Sequence, residues 1–466
     1  MANQIVVVNV SQNVAPTPST LQRTGALVSQ GGTTLAVGTF RLLTQLSDLT
    51  SLLTGALAIS TMTLSASVVT VTTTAPHGFT NGDTIPMTIA GVTPSGYNGF
   101  FTITVTGAST FTYPLLISPG AVTVQGVYTP EDVVELTSMA TTFFAQGASI
   151  SVYVLELGAG NATDGVTALT TFLTANPNWF YSYLVPRAWS GASTFLTLIA
   201  SYEATTAKTY FFVTATLANY TSFTALMKCV FLMVEAPTVA AAAVAGTATE
   251  FSCAAAFWVS LHYLPSSTNK VTPTAFSYLF GVTPYPLFGN SAQLSTLKTA
   301  FANYVGTGAE GGISNAILEW GTTEDGNDFT YWYSVDWVQI NVDLNLSNAI
   351  INGSNNPINP LYFNQDGINR LQQVAASTMG NGVTFGLVLN PVVQTALDGP
   401  VLTAALLAGT YAGKTIVNAV PFFNYTNENL GDYKIGRYAG FSVTYTTNRG
   451  FIQIIFNVNI SQFPSQ

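Results

Sequence analysis

Two textures share this chain, and the second interrupts the first. From about Ser60 to Tyr128 the apolar residues come in short runs: Val68 to Thr73, Asp83 to Ile89, Phe100 to Thr106, Thr110 to Tyr113 and Val122 to Val127. Between them stand His77-Gly78, Asn81-Gly82, Pro94-Ser95-Gly96 and Pro119-Gly120, residue types that set tight turns. This spacing predicts a small β module over residues 60–128. Beyond it, strands alternate with helices. Thr129-Pro130-Glu131-Asp132 reads as N-cap, first helical position and acidic first turn. A strand over Ile150 to Leu157 follows, then a helix over Asp164 to Ala175 and a strand over Trp179 to Val185. Thr194 to Glu203 reads as a helix, Tyr210 to Thr216 and Val230 to Val234 as strands, and Glu250 to Leu264 and Ser291 to Val305 as helices. The strands are near-continuous apolar runs, the pattern of a mostly parallel sheet covered on both faces. The β module is therefore read as an insertion in an α/β core.

Ahead of the insertion, Thr33 to Thr39 reads as a strand and Arg41 to Leu53 as a short helix. In the last third, Glu324-Asp325-Gly326-Asn327-Asp328 reads as a turn. Phe329 to Leu346 reads as a strand, because Val338, Ile340 and Val342 alternate beside Trp332 and Trp337. Asn364 to Met379 is read as a helix with Ile368, Leu371, Val374 and Ala375 on one face, and Val383 to Leu389 and Thr415 to Phe422 as strands. Phe441 to Tyr445 and Phe451 to Ile460 close the chain as two strands about the turn Thr447-Asn448-Arg449-Gly450. In the second of these, Ile452, Ile454, Phe456, Val458 and Ile460 form one apolar face. The opposite end carries its own β-branched run, Ile5-Val6-Val7-Val8-Asn9-Val10. The expected fold class is α/β and α+β multidomain. Its parts are an N-terminal β arm (1–20), an α/β core (21–59 and 129–310), the inserted module (60–128), a C-terminal α+β portion (311–438) and a C-terminal β arm (439–466). The two arms either complete the chain's own sheet or add strands to neighbouring copies.

Composition bears on the choice. Charged residues are 7% of 466, against roughly 25% in an ordinary soluble domain, so few charges defend exposed sheet edges. The formal net charge is −9 with twelve Lys and Arg, and no basic cluster suits nucleic acid. Eight acids from Glu310 to Asp366 lie between Lys298 and Arg370 without a base among them, and this run is expected to be a solvated face. The long uncharged runs are rich in Thr and Ser and are broken by Pro and Gly, so no membrane-spanning helix is expected. The start Met1-Ala2-Asn3-Gln4 shows no charged leader, which fits synthesis in a cytoplasm. Cys229 and Cys253 both sit in apolar surroundings as small core residues.

Little in the residues favours chemistry. His77 in Pro76-His77-Gly78 belongs to a turn, and His262 to a helix end. No nucleophile elbow, phosphate loop or dinucleotide fingerprint occurs. Two histidines and two cysteines without ligand spacing make no zinc set. Glu324 to Asp328 has the oxygens and glycine of a calcium-loop fragment without its spacing or closing Glu. Asp336 and Asp343 are a conceivable carboxylate pair. No catalytic residue, cofactor or metal is expected.

Several stretches resemble a known group. Ile5 to Val10, Phe276 to Pro286, Tyr331-Trp332-Tyr333-Ser334-Val335-Asp336-Trp337, Ile351-Asn352-Gly353-Ser354-Asn355-Asn356-Pro357, Asn359-Pro360-Leu361-Tyr362 and the closing strands resemble the tail sheath proteins of contractile-tailed bacteriophages. The resemblance covers most of residues 1–55 and 129–466. The module, with Pro76-His77-Gly78-Phe79 and Tyr97-Asn98-Gly99, looks like β modules inserted in various phage proteins. What the resemblance implies is a structural, non-enzymatic virion protein of the phage tail. Copies would stack as hexameric rings around an inner tail tube and contract after a baseplate trigger to drive the tube through the host envelope. Its partners would be further copies, the tube protein, and baseplate and tail terminator proteins, with neither nucleic acid nor membrane insertion. Neighbours would be joined by strand exchange through Ile5, Val6, Val7, Val8 and Val10 and through Phe451, Ile452, Ile454, Phe456, Val458 and Ile460. The module would face outward, and the C-terminal α+β portion inward. The alternatives are a tail-associated carbohydrate-binding or hydrolysing protein using Trp320, Trp332 and Trp337, and a non-contractile phage structural protein of the same fold.

Overall fold

The computed structural model describes residues 20–147, 149–203, 208–216, 220–223, 227–286, 290–308, 315–389 and 391–451. The first strand, β1 (Gly25–Ser29), is buried along its whole length, and β2 (Phe40–Leu43) and the helix α1 (Leu46–Thr50) follow. Here the sequence misleads. Thr33 to Thr39 is no strand; Thr33 makes a lone bridge to Leu53, and Gly31 and Gly38 hold positive φ in the turns around it. The strand starts instead at Phe40 and runs into the stretch expected to be helical. There Phe40 packs edge-on against Tyr153 and Phe180. Helix α1 begins only where Gln45 and Asp48 cap each other's backbone.

Next comes a closed six-stranded barrel. Its strands are β3 (Leu57–Ser65), β4 (Val68–Thr73), β5 (Thr84–Ala90), β6 (Gly99–Gly107), β7 (Thr110–Pro114) and β8 (Val127–Pro130), in the order β3-β4-β7-β6-β5-β8. Strict alternation explains it: Val69, Val71, Ile85, Met87, Ile103, Val105, Phe111 and Tyr113 point inward, while threonines between them face out. Val122 to Val127 is not a strand; the closing strand begins at Val127, after Gly126, whose φ of 72° turns the chain and where a side chain would strike the Ala90 carbonyl. Thr129 therefore lies in β8, not at a helix cap, and the helix α2 (Glu131–Ala145) starts directly after Pro130 with no linker.

The core continues through β9 (Val152–Glu156), α3 (Ala162–Ala175), β10 (Ser182–Leu184), α4 (Ser193–Glu203), β11 (Tyr210–Ala215), β12 (Val230–Val234), α5 (Pro237–Val244) and α6 (Ser252–Leu261). One sheet, ordered β12-β11-β10-β1-β9-β2, collects the strands, and every pairing in it is parallel except β2 with β9. Side-chain alternation feeds two separate cores. Leu27, Val154, Phe212 and Phe231 face α2 and α6, while Ala26, Leu155, Phe211 and Leu232 face α3 and α4. The mostly parallel α/β core is as expected.

Helix α7 (Ser291–Thr299) stops six residues short of the expected end. Asn303 instead ties the chain to the sheet edge, its amide donating to Leu232 O at 2.9 Å and Thr322 O at 2.7 Å. A hairpin of β13 (Tyr304–Thr307) and β14 (Ala316–Glu319) follows. The largest correction comes next. Phe329 to Leu346 is no strand but the first part of α8 (Phe329–Ser354), capped by Asp328, whose side chain accepts from Thr330 N at 3.1 Å. The buried residues Phe329, Tyr333 and Trp337, and Val338, Val342 and Leu346, recur every four positions. Phe329 meets Tyr210, Phe212 and Phe231 edge-on, so α8 is seated on the sheet.

Helix α9 (Gln365–Thr384) runs beside α8. Val383 to Leu389, expected as a strand, is the end of this helix and a turn in which Val388 bridges Thr447. Strand β15 (Val392–Thr395), helix α10 (Gly399–Leu407), strand β16 (Thr415–Ala419), helices α11 (Phe422–Glu428) and α12 (Leu430–Lys434) and strand β17 (Phe441–Thr444) complete the described chain. β16 lies between parallel β15 and antiparallel β17. The acid run is not a solvated face: Glu324, Asp328 and Asp336 are buried, and Glu319 is half-buried.

Candidate functional site

In open α/β sheets, ligands bind outside the carboxyl ends of the strands, where the strand order reverses. That point lies here between β1 and β10, and the chain's own side chains fill it. Trp189, after β10, is fully buried and donates its indole N–H to Gln30 Oε1, just beyond β1. Gln30 Nε2 in turn donates to Asn161 O at 2.8 Å, at the start of α3. Glu156, at the end of β9, is 1% exposed and accepts five hydrogen bonds. They come from Ser29 Oγ, Gly31 N, Thr33 N, Thr33 Oγ1 and Gly158 N, at 2.6 to 3.0 Å. Such bonds to a carboxylate offset its burial and fix the loop after β1.

A second cluster closes the carboxyl ends of β10 and β12. The Arg187 guanidinium forks onto Glu235, with Nε and Nη2 each 2.8 Å from a carboxylate oxygen, and Nη2 also donates to Glu250 O. Its backbone N–H and Nη1 both reach Glu135 Oε1, at 2.9 and 3.4 Å, and the guanidinium stacks over Phe251. Glu131 lies nearby on the first turn of α2 with a buried, unpartnered Oε2. Burial, with the Glu135 charge, pushes it up to about 8. The barrel meets this end of the core too, where Asn161 Nδ2 donates to Asp83 Oδ1 at 2.8 Å.

The other residues weighed for chemistry are structural. His77 Nδ1 accepts from Phe79 N, and His262 stacks on Trp258 with burial lowering its pKa. Asp325 ties its own turn, accepting from Thr323 Oγ1, Asn327 N and Nδ2, and Trp332 Nε1. Asp336 accepts from the hydroxyls of Tyr181 and Tyr210, both at 2.9 Å, and stands two turns of α8 from Asp343. Trp320 and Trp337 are buried against Tyr304 and Phe385, so these aromatics form core rather than a glycan platform. Among the described residues no group of three His, Cys, Asp or Glu side chains could hold a metal, and no helix is long and apolar enough to cross a membrane.

Of the expected subunit-contact residues, Ile5, Val6, Val7, Val8, Val10, Ile452, Ile454, Phe456, Val458 and Ile460 lie outside the described residues. Phe451 is described and is 77% exposed. What the structure does place is the ground around them. Beyond the first residue of β16, the flanking chains meet directly: Leu389 N donates to Thr446 O at 2.9 Å and Asn448 N to Leu387 O at 3.1 Å. Among the described residues no strand pairs with the outer edges of β15 or β17. Sequence reasoning missed both edges: β15 is a four-residue strand and β17 was read only as half of a closing hairpin.

The chain matches no family model and no curated protein. Among solved structures it is similar to a sheath tail protein from Listeria innocua, with 80% of this chain and 89% of that one covered, 11% identity and a TM-score of 0.38. A likeness that loose carries no argument about function.

Proposed function

We propose that this protein is a structural subunit of a contractile phage tail sheath. Copies stack as hexameric rings around an inner tail tube and are held together by strands exchanged between neighbours. The observation that carries this reading is the C-terminal sheet, whose outer strands β15 and β17 have no strand partner on their outer edges among the described residues, in a chain with few charges to protect such edges. An open edge is completed by a strand from another chain through main-chain hydrogen bonds. The alternating run Ile452 to Ile460 and the run Ile5 to Val10 have the sequence of such strands. Ladder bonds survive a rigid-body shift of the subunits they tie, which suits a sheath that shortens without falling apart. The filled switch point supports a structural role as well, since Trp189, Gln30 and Glu156 occupy the place where this fold takes ligands. The tube protein, baseplate and tail terminator would be the other partners, and the virion tail the location.

Electron microscopy and light scattering of the purified protein test the proposal. Hollow helical tubes are expected, and removal of residues 1–14 or Ile454→Pro should abolish them while leaving the core folded. A dispersed monomer at every concentration would overturn it.

A further inference from the structure

Three large aromatics face solvent within one short stretch: Phe276, Tyr278 and Phe280 are 44 to 56% exposed. The stretch runs antiparallel beside β14, with Leu279 N donating to Ala316 O and Leu318 N to Ser277 O, both at 2.9 Å. Ser277 is half-buried and Leu279 buried, so the alternation of a strand turns the three rings outward. On the side away from β14, Gln146 donates to Phe280 O at 2.6 Å and accepts from Phe280 N at 2.8 Å. That leaves the N–H and carbonyl of Tyr278 without a partner among the described residues. Whatever covers the rings is therefore held by its side chains rather than by a long ladder. No charged residue lies between Lys270 and Lys298, so the stripe suits an uncharged, apolar occupant.

The described chain stops beside this stripe. Gly450 packs on the Pro273 ring, and Arg449 lies over Tyr331. Pro273 is three residues ahead of Phe276, at most about 10 Å of chain, so a segment leaving Phe451 reaches the rings without a linker. The next nine residues, Ile452 to Ile460, carry no charge and place an apolar residue at every second position, the spacing of the three rings.

We propose that in the unassembled subunit residues 452–460 lie on the stripe of their own chain, the apolar face that includes Ile454 and Phe456 against Phe276, Tyr278 and Phe280. Proximity selects this occupant, because a segment tethered beside its site meets it at an effective concentration no free copy reaches in dilute solution. The contact covers an uncharged alternating run that would otherwise pair with other chains, and the run must leave the stripe before it joins a neighbour. The docking stands without strand exchange; only its role as a restraint on assembly rests on the function proposed above.

Photo-cross-linking and footprinting of the dilute full chain test it. Cys229 and Cys253 are both buried, so Tyr278→Cys gives one accessible thiol for a benzophenone label. Photolysis should capture residues 452–460, and a mixture of isotope-labelled and unlabelled copies should show capture within one copy. Hydroxyl radicals should oxidise Phe456 several-fold faster in Tyr278→Ser/Phe280→Ser than in the natural chain. Ile454→Ser/Phe456→Ser should in turn speed oxidation of Tyr278, and Tyr278→Ser/Phe280→Ser should form tubes sooner. Capture of residues 1–19, of a second copy or of nothing would overturn the docking even if tubes form, as would equal oxidation in every variant. An unchanged assembly rate would overturn the restraint. Docking in a protein that never forms tubes would instead sink the strand-exchange reading and leave the docking intact.

Discussion

Tyr210 donates its hydroxyl to Asp336 at 2.9 Å, and this bond joins the first residue of β11 to the N-terminal third of α8. Tyr181 donates to the same carboxylate oxygen at 2.9 Å, so one acid ties two neighbouring strand starts to the helix that leads to the C-terminal sheet. The carboxylate is 6% exposed, and burial pushes it from 3.8 up to about 6, partly opposed by Lys208 and the two hydroxyls.

Asp336 therefore makes stability depend on pH. Its folded pKa is raised, so its favourable contribution is complete below about 4 and is lost as pH rises through about 6. The fall is worth about 2–3 kcal/mol. Asp336→Asn should flatten this part of the profile, and Tyr210→Phe should cost about 1–2 kcal/mol. Urea unfolding between pH 4 and 7 reads both.

Glu324 gives the same sign over a wider window. It is 1% exposed with neither carboxyl oxygen bonded, and burial, with Asp325 beside it, pushes it up to about 9. The folded state keeps the proton that the unfolded chain releases near 4.5, so stability declines from there to about pH 9. Glu324→Gln should raise stability at pH 7 by about 1–3 kcal/mol and remove that decline. Thermal scans across pH check it.

Arg187 behaves oppositely to an ordinary surface ion. Arg187→Met would leave Glu235 and Glu135 buried without their cation and should cost about 3–5 kcal/mol. Arg187→Lys should recover only part, because an ammonium cannot fork onto Glu235 as Nε and Nη2 do. Denaturant unfolding of both variants measures the difference.

Phe329 is the apolar counterpart of Asp336. Its ring meets Tyr210, Phe212 and Phe231 edge-on and is fully buried, so Phe329→Ala should cost about 3–5 kcal/mol. Protease digestion should then cut first in the turn ahead of α8, and unchanged digestion would argue against this seat for the helix.

The residues by themselves determined the inserted β module and the α/β core, because each rests on a local period. Alternation at Val69, Val71, Ile103 and Val105 marks barrel strands, and long apolar runs at Tyr210 to Ala215 and Val230 to Val234 mark strands buried on both faces. Tertiary structure decided what local pattern left ambiguous. β1, Gly-Ala-Leu-Val-Ser, is too short and too small-sided to announce itself, yet neighbours on both sides make it a central strand. In α8, spacings of two and of four coexist, and the seat of Phe329 among three sheet aromatics selects the helix. The acids near it look like a solvated face in one dimension. Tyr181 and Tyr210, distant in sequence, hold Asp336 inside, and no reading of neighbouring residues contains those partners. That β15 and β17 form the outer strands of the C-terminal sheet among the described residues is likewise a property of the assembled sheet, since their shared partner β16 lies about twenty residues from each in sequence.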